Sequence, residues 1–360
     1  MGAQMVGPDE DCCVTDDLYS QAKPIYWLGR LETLRSGVMP APVHVQLVLS
    51  DLCNQDCGFC AYRMSSGLSN ELFPEGKRKN PNRMIPAAKA REIIDDCATI
   101  GVRGLQFTGG GEPTMHPDHL EMFARAQQHG IATALVTNGI NLDPSHPAVR
   151  AMSWVRVSVD AGTAETYAGL RRVSMKHWHT VWGHIGALAD SCAGTVSVGF
   201  VITPENFREL PAAAELAQTA GVANIRVGAV FSAEGTGYYG RSLSEIRAVI
   251  AGARERFGDL IVDLFDRRIE DLDAGSPDEA LCGYQHLSTY IGGDLGVYRC
   301  CNTAYTRAGK VADLHDRRFA DLFGRSVEPF DARSCRHCQF RGQNKVISAT
   351  QAKPVHAEFV

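Results

Sequence analysis

No apolar run in the chain approaches the roughly 20 residues that span a bilayer. The first residues, with Asp9, Glu10 and Asp11, lack the basic and apolar regions of a signal peptide. There is no basic excess either: the formal net charge is −5 at pH 7, which provides no positive field for nucleic acid. The expected location is the cytoplasm, with no nucleic-acid and no membrane partner. Cysteine, by contrast, is plentiful, at 12 in 360 residues. Without an export signal, metal or redox use is a better reading of these thiols than disulfides. A hydrophobic share of 44% and a charged share of 21% are ordinary for a globular protein, and the length suffices for one large domain and a smaller one, each with its own core.

Three of the cysteines, Cys53, Cys57 and Cys60, fall at the spacing Cys-x3-Cys-x2-Cys directly after a strand-like run, His44 to Ser50. Three thiolates can hold three irons of a 4Fe-4S cluster and leave the fourth iron open to a ligand. A structural zinc site closes with four ligands, and this loop supplies no fourth nearby.

From His44 onward the text alternates. Strand-like runs at 44–50, 104–108, 133–137, 154–159, 196–202 and 225–230 are separated by helical stretches. One of these, opened by Pro86, places Ile93, Ile94, Cys97 and Ile100 on one face. Six apolar strands alternating with helices predict a parallel sheet covered by helices. In such folds the chemistry gathers at the C-terminal strand ends. The cysteine loop, the run Gly109-Gly110-Gly111-Glu112-Pro113, Thr137-Asn138, and Ser158 with Asp160 all fall there. Residues 1–43 read as an irregular N-terminal arm in which Cys12-Cys13 are incidental. Residues 44–258 read as the α/β unit and 259–275 as a linker. The stretch 276–360 reads as a separate small domain containing a hairpin, His286 to Ile291 and Gly296 to Cys301, and the pair Cys335-x2-Cys338.

These residues resemble the radical S-adenosylmethionine (radical SAM) superfamily over about residues 44 to 231. The resemblance implies a partial (β/α)6 barrel and a SAM-binding 4Fe-4S cluster on Cys53, Cys57 and Cys60. It also implies a GGE motif at Gly110, Gly111 and Glu112 that meets the methionine amino group. On the same ground Phe59, with Tyr62, is expected near adenine. Asn138, Ser158 and Asp160 are expected at the methionine or ribose, and Arg171 at the methionine carboxylate. Cys282, Cys300, Cys335 and Cys338 resemble the SPASM and twitch extensions, and the twitch type with one auxiliary 4Fe-4S cluster fits the cysteine supply better. A four-cysteine zinc site is the alternative there, and Cys301 could replace Cys300 as the ligand or stand free beside the cluster.

The resemblance further implies an oxidoreductase that cleaves SAM reductively to a 5′-deoxyadenosyl radical and takes a hydrogen atom from a small-molecule substrate. An external one-electron reductant such as a flavodoxin or ferredoxin would supply it. The similarity to twitch-bearing aminocyclitol dehydrogenases makes dehydrogenation of a sugar or aminocyclitol-like alcohol, in specialised metabolism, the first expectation. The alternatives are an epimerase with Cys301 as hydrogen donor, a decarboxylase or carbon–carbon coupling enzyme, and a ribosomal-peptide-modifying enzyme, for which the short arm leaves little room for leader recognition. A negatively charged pocket would favour amino sugars and an open channel peptides. His177, Trp178, His179, Trp182, Asn302, Tyr305, Gln343 and Asn344 receive no substrate role.

Overall fold

The computed structural model describes residues 18–72, 81–328 and 330–352; Cys12 and Cys13 lie outside them. In chain order its main elements are α1 (Leu28–Arg35), β1 (His44–Val48), α2 (Ala87–Thr99), β2 (Gly104–Thr108), α3 (His119–Gln128), β3 (Ala132–Thr137), α4 (Pro147–Arg150) and β4 (Trp154–Ser158). There follow α5 (Ala164–Arg171), α6 (Lys176–Ala189), β5 (Thr195–Ile202), α7 (Leu210–Thr219), β6 (Asn224–Ala229), α8 (Leu243–Phe257), β7 (Ile261–Asp263) and α9 (Phe265–Asp273). The chain closes with β8 (Ser288–Ile291), β9 (Gly296–Tyr298), β10 (Lys310–Asp313) and α10 (Arg341–Gln351).

All six expected strands form, and they pair in sequence order, parallel, with Val45 beside Leu105, Leu105 beside Thr133 and Val198 beside Ile225. Alternation sorts each strand's side chains. Val45, Leu47, Leu105, Phe107, Val155, Val157, Val196 and Val198 turn outward into one core with Ile93, Ile94 and Cys97 of α2 and Met122 and Phe123 of α3. Each of those helix residues is fully buried, and each such side chain contributes about 1.5–3 kcal/mol. Cys97 is therefore a packing residue, as its place on the apolar face of α2 suggests.

Two expectations about the ends of the sheet are corrected. The stretch expected as a linker, 259–275, instead carries β7, which pairs parallel to β6, and α9, whose Phe265 and Ile269 are buried in the main core. Strand β7 is only 3 residues long, too short for a periodic signal to stand out. The C-terminal hairpin β8–β9 forms, with Ile291 opposite Val297. Its first strand also pairs parallel to β1, Gln46 beside Tyr290, so one sheet runs β10-β9-β8-β1-β2-β3-β4-β5-β6-β7 through the whole molecule. Between β4 and β5 there are two helices rather than one. The unexpected one, α5, starts at Thr163, whose hydroxyl accepts from the Thr166 amide (3.3 Å), and stops at Arg172, which is left-handed at φ 53°.

Candidate active site

The cysteine loop leaves β1 and is tied down from two sides. On one side its backbone runs against the glycine motif after β2: the Gly111 amide donates to Ser50 O (3.2 Å) and the Glu112 amide to Leu52 O (2.9 Å). This approach requires glycine. A Cβ on Gly111 would lie 2.3 Å from Leu52 O and 2.4 Å from Asp51 O, both backbone atoms that cannot move aside independently. On the other side the loop sits on the end of α5, with the Asp56 amide donating to Arg171 O and the Gly58 amide to Leu170 O, both at 3.1 Å.

Buried charges brace these contacts. Arg171, 2% exposed, donates from Nε to Val159 O (3.1 Å), from Nη1 to Gln55 Oε1 (2.5 Å) and from Nη2 to the Asp160 carboxylate. The side chain expected at the SAM carboxylate thus has all three nitrogens on protein acceptors. Asp160 holds the unusual φ of 58°, and its other oxygen accepts from the Val201 amide (2.7 Å). Glu112 is likewise a hub. It accepts from Thr114 Oγ1 (2.8 Å), Thr137 Oγ1 (2.6 Å) and the Asn138 amide (2.7 Å). Burial raises its pKa against the pull of those hydrogen bonds. Asn138 passes the connection to the cysteine loop, donating from Nδ2 to Asn54 Oδ1 (2.6 Å), with Cys53 Sγ 3.9 Å away. Gly111, Glu112 and Asn138 therefore stand in one network with the loop, and Gly110 lies against the side chains of Asp51 and Tyr305. Phe59 does not join it: the ring lines a cleft with Thr166, Leu170 and Tyr238 on the α5 side. Ser158 ends β4 beside Gly199.

Cys53, Cys57 and Cys60 stand within one electrostatic neighbourhood. Burial pushes the Cys57 thiol up to about 12; Arg171 pulls against it, and Cys60 and Cys53 add to it. The C-terminal thiols behave alike. Cys282 is raised to about 12, first by burial and then by Cys300, with Cys338 and Cys335 adding to it. Cys300 is the member of the adjacent pair that acts on Cys282, Cys335 and Cys338. Cys301 faces the other way: its sulfur lies 3.6 Å from Gln339 Nε2, and it lines the barrel cavity with Gln46 and Arg268. The donor chemistry, three thiols in one set and four in the other, fits an open cluster and a saturated one. Among the described residues no three His, Cys, Asp or Glu side chains gather tightly enough for a single metal ion, whose bonds to sulfur are only about 2.3 Å long.

Sequence reasoning passed over two features. The first is a tyrosine cluster, buried Tyr290, Tyr298 and Tyr305 with the half-buried Tyr62, against which Cys301 packs. Burial raises Tyr62, and both Cys301 and Cys60 act on it. Tyr305 donates to Asp51, which also pairs with Arg83 (2.5 Å). Tyr305 thereby joins the C-terminal segment to the residue two before Cys53. The second is the polar lining of the barrel, in which Gln46, Gln106, Arg156 and Arg226 are brought together from β1, β2, β4 and β6. Trp178, in contrast, is a packing residue between Tyr167 and Trp182.

Residues 47–217 match the model of the Radical SAM superfamily. Among curated proteins the chain is similar to a PqqA peptide cyclase of Methylorubrum populi, 27% identical over 246 residues, 64% of this chain and 59% of that protein. It is also similar to the mycofactocin maturase MftC of Mycobacterium tuberculosis, 28% identical over 192 residues, 52% of this chain and 45% of that protein. An S-adenosylmethionine-dependent nucleotide dehydratase of Flammeovirga pacifica is 28% identical over 124 residues, 34% of this chain and 40% of that protein. The chain thus spans only 40 to 59% of the length of these relatives. Among solved structures, Streptococcus suis SuiB bound to precursor peptide SuiA has a TM-score of 0.61 at 12% identity, covering 88% of this chain and 72% of that one. Native anSMEcpe with bound AdoMet has a TM-score of 0.54 at 16% identity, covering 78% of this chain and 80% of that one. The fold, the cysteine loop and the matched stretch agree, and residues 47–217 form a domain of the radical SAM superfamily, whose members use a 4Fe-4S cluster and SAM.

Proposed function

We propose that this radical SAM enzyme modifies a peptide substrate, removing hydrogen from a C–H bond presented to the barrel cavity. The observation that carries the reading is the similarity, over more than half of the chain, to both a peptide cyclase and a mycofactocin maturase. The cavity weighs against an aminocyclitol. An amino sugar brings ammonium groups, yet Asp271 is the one acidic side chain among the described residues lining that space.

Cys53, Cys57 and Cys60 would hold the SAM-binding cluster, and Cys282, Cys300, Cys335 and Cys338 the auxiliary one. When bound, these groups and SAM supply one-electron transfer and hydrogen-atom abstraction. The chain's own residues supply position. Gly111 and Glu112 keep the motif after β2 in backbone contact with the cysteine loop, Arg171 and Asp160 pin the loop to α5, and Glu112 also holds Thr137 and Asn138 in place. Buried Tyr290, Tyr298 and Tyr305, with the half-buried Tyr62, pack beside Cys301 and exclude water there.

A second reading, epimerisation with Cys301 as hydrogen donor, is favoured by the position of its thiol in the cavity, apart from the neighbourhood that Cys300 shares with Cys282, Cys335 and Cys338. One experiment separates the readings. The reconstituted chain is incubated anaerobically with SAM, a reductant and panels of peptides, aminocyclitols, sugars and nucleotides. Release of 5′-deoxyadenosine above the substrate-free background is expected with a peptide. Stimulation confined to another panel overturns the peptide assignment, and a product that differs from its substrate only by inverted configuration and one solvent-derived deuterium supports the epimerase.

A further inference from the structure

The barrel interior contradicts the chain's overall charge. Against a net charge of −5, the cavity beneath the strand ends is lined by Arg156 of β4, Arg226 of β6, Arg267 and Arg268 of α9, and Lys23, with Asp271 as the one acidic side chain among the described residues. Arg156 and Arg226 sit mid-strand on the inward face, opposite the apolar positions that pack on the helices. Two glycines lie beside the cluster: an added Cβ would come into ordinary contact with Arg156 Cδ (3.5 Å) at Gly199 and with Arg268 Nη1 (3.7 Å) at Gly228.

Among the described residues the guanidinium groups of Arg156, Arg226 and Arg268 make no hydrogen bond or ion pair, whereas most other arginines of the chain are paired. Arg226 Nε is buried without an acceptor among the described residues; its Cζ lies 5.5 Å from the centroid of the Tyr19 ring. Burial, then Arg268 and Arg156, hold Arg226 well below its ordinary pKa, and burial followed by Arg156 brings Arg268 down to about 10. Like charges forced together without acceptors are costly, and the cost is relieved when an anion enters among them. A guanidinium presents a planar fork of donors that matches a carboxylate or phosphate.

We propose that the barrel cavity binds an oxyanion, a carboxylate or phosphate carried by the substrate, between Arg156, Arg226 and Arg268, with Gln46 and Gln106 as neutral donors beside it. The anion anchors the substrate within the space that Cys301 also lines. This deepens the functional proposal above, because it takes the cavity to be where the substrate lies. A peptide would offer an acidic side chain or its terminal carboxylate.

The test is calorimetric titration of the anaerobically reconstituted full chain, at low salt, with tricarballylate as the carboxylate probe and inorganic pyrophosphate as the phosphate probe. The wild type is expected to bind at least one. Arg226→Gln and Arg268→Gln should each weaken that binding by at least tenfold while the cluster absorption stays unchanged, and Arg226→Lys should give an intermediate loss because charge survives but the fork does not. A glutamine variant that loses the absorption is replaced by Arg156→Gln and by the lysine variant, read the same way. Failure of the wild type to bind either probe, or variants that bind like wild type, overturns the anion site. Preference for pyrophosphate retains the site and overturns the peptide assignment. Tricarballylate binding with no peptide turnover also leaves the site standing and removes only that assignment.

Discussion

Arg171→Met is the most informative single change outside the cysteines. The side chains of Arg171 and Asp160 are each 3% exposed, and the substitution leaves the Asp160 carboxylate buried with the Val201 amide as its remaining donor. Removing one partner of a buried ion pair costs about 3–5 kcal/mol, because the surviving charge has lost its compensation. Gln55 Oε1 loses its charged donor as well and keeps only the Cys57 thiol at 3.6 Å, which adds on the order of 1 kcal/mol. The double variant Arg171→Met/Asp160→Asn has no orphaned charge, so it is expected to be less destabilised than the sum of its two single variants, with a coupling of about 1–3 kcal/mol. Urea unfolding of the metal-free chain, followed by circular dichroism, measures these terms. Because Arg171 O and Leu170 O also hold the cysteine loop, Arg171→Met should take up less iron at the first set of cysteines on reconstitution. A loss below about 1 kcal/mol, or strict additivity in the cycle, would refute the view that this pair braces the loop.

Gly111→Ala places a Cβ 2.3 Å from Leu52 O and should cost about 1–3 kcal/mol and weaken SAM binding by calorimetry; Gly169→Ala, in open space on α5, should be neutral or slightly stabilising. Cys300→Ala is expected to lose the auxiliary share of the iron while Cys301→Ala retains it, as measured by iron analysis and electron paramagnetic resonance of the reduced protein. Phe265→Ala should destabilise by about 3–5 kcal/mol, as befits a core residue rather than one in a linker, with the unfolding midpoint as readout. Buried His286 has its pKa lowered to about 4 by burial and then by Arg299, from an ordinary 6.5. The unfolded chain thus binds the extra proton first: the contribution is fully present above pH 6.5 and is lost as pH falls toward 4, on the order of 3 kcal/mol in all. His286→Gln should flatten the pH dependence of the urea midpoint across that window; an unchanged slope would remove His286 as its source.

Local order was legible from the residues alone wherever a short-range rule governs. The three-cysteine spacing, the glycines after β2, the six parallel strands and the apolar face of α2 each follow from periodicity, turn chemistry or ligand number, all of which act within a few residues. Asn138 and Asp160 were placed at the correct strand ends for the same reason. What depended on long-range packing was not legible. Nothing local announces that a 3-residue strand such as β7 will find an edge of β6, or that β8 will pair with β1 across more than two hundred residues; both are decided by which sheet edge is left open. Arg171 has the chemistry of a carboxylate binder, and only the fold reveals that its partners are Asp160, Gln55 and a backbone carbonyl. Cys300 and Cys301 are neighbours in sequence, and only the turn of the backbone between them sends one toward Cys282, Cys335 and Cys338 and the other into the barrel. Arg156 and Arg226 stood in plain view inside apolar strands, where an unpaired charge should not be. Strand alternation puts both on the inward face, but it takes the closing curvature of the sheet, with α9 adding Arg268, to turn isolated arginines on separate strands into one site.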